Sequence, residues 1–147
     1  MREILFRGKM IDQDEWVKGS LVIHGKSVLI FSTRDVPYGS GMFHVDPETV
    51  GQFTGLTDKN GKRIFEGDIL EFEDCGETGY EYKEGFYFTN RAVVAWRHSA
   101  WEFGKFMYHD SCVLEEMYSS REDFIEIFNY SEIIGNIHDN PELLKGE

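Results

Sequence analysis

Two cysteines in 147 residues, at positions 75 and 112, are too few and too far apart for a CxxC clamp or a four-ligand zinc site. The sequence alone reads Cys75 and Cys112 as free thiols of a reducing cytoplasm. Long apolar runs are also missing. No window approaches the roughly 20 residues of a membrane span, and the run after Met1 is too short for a signal-peptide core, so the expected location is cytoplasmic with no membrane partner. Positive charge is scarce: 15 Lys and Arg oppose 27 Asp and Glu, a net charge of −12. That balance repels phosphates and argues against direct nucleic-acid binding. A basic protein partner, or plain solubility, accounts for the surplus carboxylates.

The histidines form no local ligand pair. His24, His44, His98, His109 and His138 are dispersed, the nearest two lying at positions 98 and 109, so no HxH or HExxH spacing exists. Cys112 has His98 and His109 within a dozen or so residues, but no oxyanion-loop or nucleophile-elbow motif accompanies them. Gly51, Gly55, Gly61 and Gly67 precede no long helix, which excludes a P-loop or dinucleotide fingerprint. No metal and no cofactor is therefore expected.

What is present is aromatic. With 12 Phe, 7 Tyr and 3 Trp in a chain that is 41% hydrophobic, the composition is that of a packed domain, and flat rings suit pleated strands. At this length roughly two-thirds of the unfolded surface can be buried, so one domain over 1–147 is expected.

The stretch Val50–Phe72, VGQFTGLTDKNGKRIFEGDILEF, carries the strongest local signals. Asn60-Gly61 predicts a two-residue type I′ hairpin, because both positions of that turn need positive φ. Glu66-Gly67-Asp68 predicts a second turn before the strand Ile69–Phe72, with Asp68 accepting bonds from the amides that follow it. Glu66 and Asp68 also form a carboxylate pair of the kind acid–base catalysis uses, though turn chemistry alone accounts for them. Upstream, strands are expected around Ile4-Leu5-Phe6, over Trp16–Ile23 and over Ser27–Phe31, with a short connection at His24-Gly25-Lys26. A loop is expected over Asp35–Gly41, then a short strand Met42–Val45, and a single helical turn capped by Asp46 with Pro47 first. Downstream, Glu73–Gly79 reads as an acidic loop, Tyr80–Phe88 as a hairpin extension, and Arg91–Trp96 and Trp101–Phe106 as strands that pair through a turn near His98-Ser99-Ala100. Val113–Tyr118 has helical spacing. Phe124–Phe128 fits either helix or strand. Ile133–Ile137 is a closing strand, after which Asn140 and Pro141 start a terminal turn.

The run Gly51–Leu70 resembles the TGL-DKNG-K-I-EGDI signature of the YopX family of bacteriophage and prophage proteins. Ile133–Leu144, reading IIGNIHDNPELL, resembles that family's closing IGNI-ENPELL motif, and Ile4–Arg7 is similar to its first strand. Phe53, Phe65 and His138 stand where the family pattern has tyrosines, and residues 73 to 132 carry little of it. The resemblance implies an all-β fold with an SH3-like barrel centre in an uncharacterised phage or prophage accessory protein. Combined with the strand pattern, the expected architecture is mainly β with one or two short helices: an N-terminal β-meander and connector over 1–48 and a barrel portion over 49–147.

The residues singled out divide into two groups. Gly55, Asn60, Gly61, Gly67, Asp68, Gly135, Asn136, Asn140 and Pro141 are expected to be structural turn and motif positions. Tyr80, Tyr82, Phe86, Tyr87 and Phe88 are an aromatic cluster among glutamates, unsuited to stacking nucleic acid without basic neighbours and therefore a candidate protein-contact surface. No catalytic residue is expected. The function that follows is a non-catalytic module that binds a host or phage protein or assembles with itself as a homo-oligomer. An acidic mimic of nucleic acid, occupying a host DNA-binding protein, and a small hydrolase are the alternatives.

Overall fold

Alternating apolar residues dictate most of the elements. In the computed structural model, which describes residues 2–32, 41–76 and 86–146 (of Phe86 the backbone alone), ten strands and two short α-helices are found. The chain divides into two compact units, Met1–Gly55 and Leu56–Glu147.

The first unit is a meander. Strands β1 (Phe6–Lys9), β2 (Trp16–His24), β3 (Ser27–Phe31), β4 (Met42–His44) and the start of β5 (Gly51–Thr57) lie in the order β4-β3-β2-β1-β5, with antiparallel pairing throughout. The β2–β3 connection is tighter than expected: His24 pairs with Ser27, leaving Gly25 and Lys26 as a two-residue turn with Gly25 at φ +60°. Val17, Ile30 and Val45 are buried and Phe6, Leu21, Val28 and Phe43 pack on them, one face of each strand supplying the core as a period of two requires. Asp46 caps the 3-10 turn Pro47–Thr49 as expected, its side chain accepting from the Glu48 amide at 3.0 Å.

In the second unit, β7 (Asp68–Gly76), β8 (Phe86–Arg97), β9 (Ala100–Phe106) and β10 (Glu132–Asn136) form an antiparallel sheet ordered β10-β7-β8-β9, while β6 (Arg63–Phe65) returns along β5 through a hairpin turn. Helices α1 (Cys112–Ser119) and α2 (Arg121–Tyr130) cover one face of the sheet. The segment left open between helix and strand, Phe124–Phe128, is helical because Phe124 and Phe128, one turn apart, both become fully buried against Phe103, with centroids 5.1 Å from it in each case. Burying a Phe side chain contributes about 1.5–3 kcal/mol, and two such anchors outweigh the β propensity of the intervening Ile-Glu-Ile. Phe72 and Phe106 complete the aromatic core.

The mainly β class is thus what the strand pattern implies, with the described strands in two antiparallel sheets. The SH3-like detail stays an implication of the resemblance. Several expectations fail, among them the acidic loop from Glu73, whose residues as far as Gly76 belong to β7 and pair with β8. Cys75 and Cys112 are not free thiols: they form a disulfide, with Cα atoms 5.2 Å apart, joining the end of β7 to the first residue of α1. Sequence spacing hid it, because 37 residues separate the pair and only the β7–β8–β9–α1 path brings them together. The type I′ turn also fails, since of Asn60 and Gly61 only Gly61 has positive φ, +78°. Asp58 takes over the turn instead. The Gly61 amide donates to the Asp58 carbonyl at 3.0 Å and the Asp58 amide to the Lys62 carbonyl at 2.9 Å, a longer loop with a single left-handed glycine.

Candidate functional site

Three polar clusters are built into the second unit, and the first joins the two motif stretches. Asp58 Oδ1 accepts the amides of Asn60 and Lys62, both at 2.9 Å, and Oδ2 accepts that of Ile133 at 3.1 Å. Burial alone would raise this carboxyl, but the amides of Ile133, Lys62 and Asn60, with the Lys62 charge, outweigh it and hold the pKa below its ordinary value. Lys59 donates its amide to the Ser131 carbonyl and places Nζ 3.4 Å from Glu132. Further along, β10 pairs with β7 so that Asn136 lies opposite Asp68 and Gly135 opposite Ile69. Gly67, at φ +92°, donates to the Val94 carbonyl and accepts from the Ile137 amide, both at 2.8 Å. Asp68 Oδ2 accepts the Phe65 amide at 2.8 Å, so it ties down a residue that precedes it in the turn.

The closing motif is a second knot of the same kind. Asn136 Oδ1 accepts the amides of His138 and Asp139 at 3.0 and 2.9 Å. Asn140 makes no side-chain cap to the 3-10 turn Pro141–Leu144. Its Oδ1 faces the Asn136 amide instead, at 3.3 Å, and a side chain at Gly135 would collide with it. Arg91 pins this turn, donating to the Leu143 carbonyl at 3.1 Å and from Nε to Glu71 at 3.0 Å. Gly55 sits within β5 at φ +88°. Asp58, Asp68, Asn136 and Asn140 thus sit at turns and strand ends, where their side-chain oxygens accept backbone amides. That is folding chemistry.

The second cluster surrounds Asp74. This buried carboxylate accepts the Cys75 and Val113 amides on Oδ1, at 2.8 and 3.1 Å, and Asn90 Nδ2, at 2.9 Å, with the Ser111 hydroxyl on Oδ2. Ser111 also caps α1, accepting the Leu114 amide at 3.0 Å. Asp74 and the adjoining disulfide thus fasten the same junction, from β7 to the start of α1. Nearby, the Glu116 carboxyl is pushed up, by burial first and then by Asp123 and Asp74.

The third cluster is at the β8–β9 hairpin tip, and it differs in facing solvent. Trp96 pairs with Trp101 across the hairpin, ring centroids 4.8 Å apart and edge to face, and Trp96 is 53% exposed. The turn holds His98 and Ser99 at φ +51° and +61°, where neither is glycine. Behind it Glu102, only 2% exposed, has Oε2 3.2 Å from His98 Nδ1 and Oε1 3.2 Å from Arg121 Nη2. Since a carboxylate only accepts, Nδ1 carries the proton and Nε2 is left to solvent. Burial raises the Glu102 carboxyl, but the bonds from His98 and Arg121 prevail and its pKa is lowered. Arg121 also donates to the Trp101 carbonyl at 3.4 Å.

Of the aromatic cluster put forward as a contact surface, Tyr80, Tyr82 and the Phe86 side chain lie outside the described residues. Tyr87 is 82% exposed, whereas Phe88 packs edge-on against Tyr108 at 5.9 Å. Sequence reasoning passed over Trp96, Trp101, Glu102 and Arg121. A signal was available, because a two-residue turn at 98–99 pairs 97 with 100 and hence Trp96 with Trp101. Among the described residues no group of three His, Cys, Asp or Glu could hold a metal ion.

Fold and motif geometry define a mainly β protein in which Asp58 and Gly67 of the first motif stretch accept the amides of Ile133 and Ile137 in the second. The YopX protein family model matches residues 5–145, and the chain belongs to that family. Among solved structures it is similar to protein EF1440 from Enterococcus faecalis, at 23% identity and a TM-score of 0.53, over 99% of this chain and 100% of that one. That likeness is one of fold. No curated protein matches. No helix among the described residues is long and apolar enough to cross a membrane.

Proposed function

We propose that this YopX protein is a phage or prophage accessory factor that binds another protein and has no catalytic role of its own. The observation that carries this reading is the solvent-facing hairpin tip: an exposed Trp96 edge-on to Trp101, beside a turn where His98 and Arg121 bond the buried Glu102. Trp, Tyr and Arg dominate the energetics of protein interfaces, and a rigidly held ring loses little entropy on docking. The buried carboxylates support the same reading. Asp58 and Asp74 accept backbone amides that fix turns and a helix start, which is a structural use of charge.

The test is a pull-down of tagged protein from its bacterial host after nuclease treatment. The reading expects a specific host or phage protein and no nucleic acid. A basic, DNA-binding partner released as salt rises from about 0.05 to 0.5 M would favour the acidic mimic, because exposed charge pairs are screened over that range. Turnover of ester, phosphate or glycoside substrates, abolished by substituting Asp68 or His98, would replace the reading with a hydrolase.

Self-assembly is a second reading, favoured by the first unit. Phe31 and Met42 face each other across β3 and β4 and stay exposed, at 41% and 39%. An apolar pair at a sheet edge suits a second copy, and light scattering at tens of micromolar would reveal a dimer or larger species.

A further inference from the structure

We propose that the β8–β9 hairpin tip is a preformed docking site for an acidic peptide segment of a partner protein, one that places a carboxylate beside an aliphatic or aromatic side chain. This rests on the protein-binding reading and names the chemistry that reading requires. Three features of the tip point to it.

The first is stored strain. His98 and Ser99 both hold left-handed φ, where Asn-Gly would sit more comfortably. Strain of this kind persists where the surroundings over-determine it, and here Glu102 anchors the turn through His98. The second is the aromatic pair. Trp96 projects half its surface into solvent while Trp101 braces it edge-on, leaving a flat apolar face for a single anchoring side chain.

The third is charge. On a chain of net charge −12, this tip gathers Arg97 and Arg121 beside His98, and the carboxylate they enclose, Glu102, is buried. Glu102 takes one Arg121 Nη2 bond and His98 Nδ1, so the solvent-facing donors are the unused N–H groups of Arg121, whose side chain is 45% exposed. Arg97 leans back on the Gly104 carbonyl at 3.3 Å and adds positive charge at the rim. Asp123 accepts the Ser120 hydroxyl at 2.7 Å, and Glu122 is rotated about 100° around α2 from Arg121. A carboxylate arriving at the tip therefore meets donors first, and an apolar neighbour meets Trp96. A lysine-rich segment would meet the like charges of Arg97 and Arg121.

The test uses the full chain carrying Trp16→Phe, so that emission comes from Trp96 and Trp101. It is titrated with a tryptophan-free 12-residue peptide of glutamates around two leucines, with the same peptide bearing lysines for glutamates, and with a single-stranded oligonucleotide. The glutamate peptide should give a saturable blue shift, weakened at least about tenfold by Trp96→Ala and by Arg121→Gln, with both variants still folded by circular dichroism at the temperature of the titration. Equal binding of both peptides, or none of the glutamate peptide, would overturn the proposal, and saturation by the oligonucleotide alone would reassign the site to phosphate. If the pull-down partner is retained equally by Trp96→Ala, this site fails while protein binding stands. If the unsubstituted chain retains no partner, the broader reading fails, and the peptide titration still decides whether the tip reads carboxylates.

Discussion

Replacing Asp58 by Asn removes a charge from the point where the two motif stretches meet, and its cost follows from counting amides. The carboxylate accepts from Asn60 and Lys62 on one oxygen and from Ile133 on the other. An asparagine has one acceptor oxygen, so when it serves the turn its amide nitrogen confronts the Ile133 N–H, donor against donor. One unsatisfied buried amide costs 1–3 kcal/mol, and the two surviving bonds fall from charge-assisted to neutral strength, for a total of about 3 kcal/mol. At this chain length that corresponds to a melting decrease of roughly 6–12 °C, measured by circular dichroism at neutral pH. The acid limb supplies an independent check. Because the folded pKa of Asp58 lies below its ordinary 3.8, its contribution is complete above that value and is lost as pH falls through the folded pKa. The gap between wild type and variant should therefore narrow in acid below about pH 4. A variant that melts within about 1 °C of wild type at neutral pH would refute the account of this junction.

Gly61→Val should destabilise by more than about 1 kcal/mol through backbone strain, because the position is open around a side chain but held at φ +78°; a neutral melt would contradict the turn. Reducing the Cys75–Cys112 bond should cost about 3–4 kcal/mol, given the 37-residue separation; non-reduced mass spectrometry should find no alkylatable thiol, and modification of either cysteine would contradict the pairing. Glu116→Gln should raise the melting temperature at neutral pH. The raised pKa of Glu116 means that its ionised form is disfavoured in the fold, so the gain should vanish as pH falls below the ordinary value of 4.5; a gain persisting in acid would point to another cause.

Strand positions were legible in the sequence because they rest on a period of two that each segment carries within itself. Trp16–Ile23, Arg91–Trp96 and Ile133–Ile137 needed nothing from elsewhere in the chain. Phe124–Phe128 did need something: both periods fit it, and burial against Phe103 decides for helix. The Asn60-Gly61 turn was misjudged because a dipeptide preference was weighed without Asp58, whose side chain gains a third amide from a residue 75 positions away. Cys75 and Cys112 escaped for the same reason, since nothing local announces that a strand end and a helix start will meet. The proposed contact surface was half legible. Tyr87 is as exposed as its glutamate-rich setting implied, but the Trp96 tip depends on a register that only the completed hairpin makes plain.

Partner retention at low temperature by Asp58→Asn and Trp96→Ala, set side by side, tests the central claim most directly: that the motif residues build the fold while the hairpin tip meets the partner. Held well below their melting temperatures, Asp58→Asn should retain the host or phage protein as wild type does, and folded Trp96→Ala should release it. Loss of the partner from folded Asp58→Asn together with full retention by Trp96→Ala would contradict the claim and move the functional surface to the motif strands.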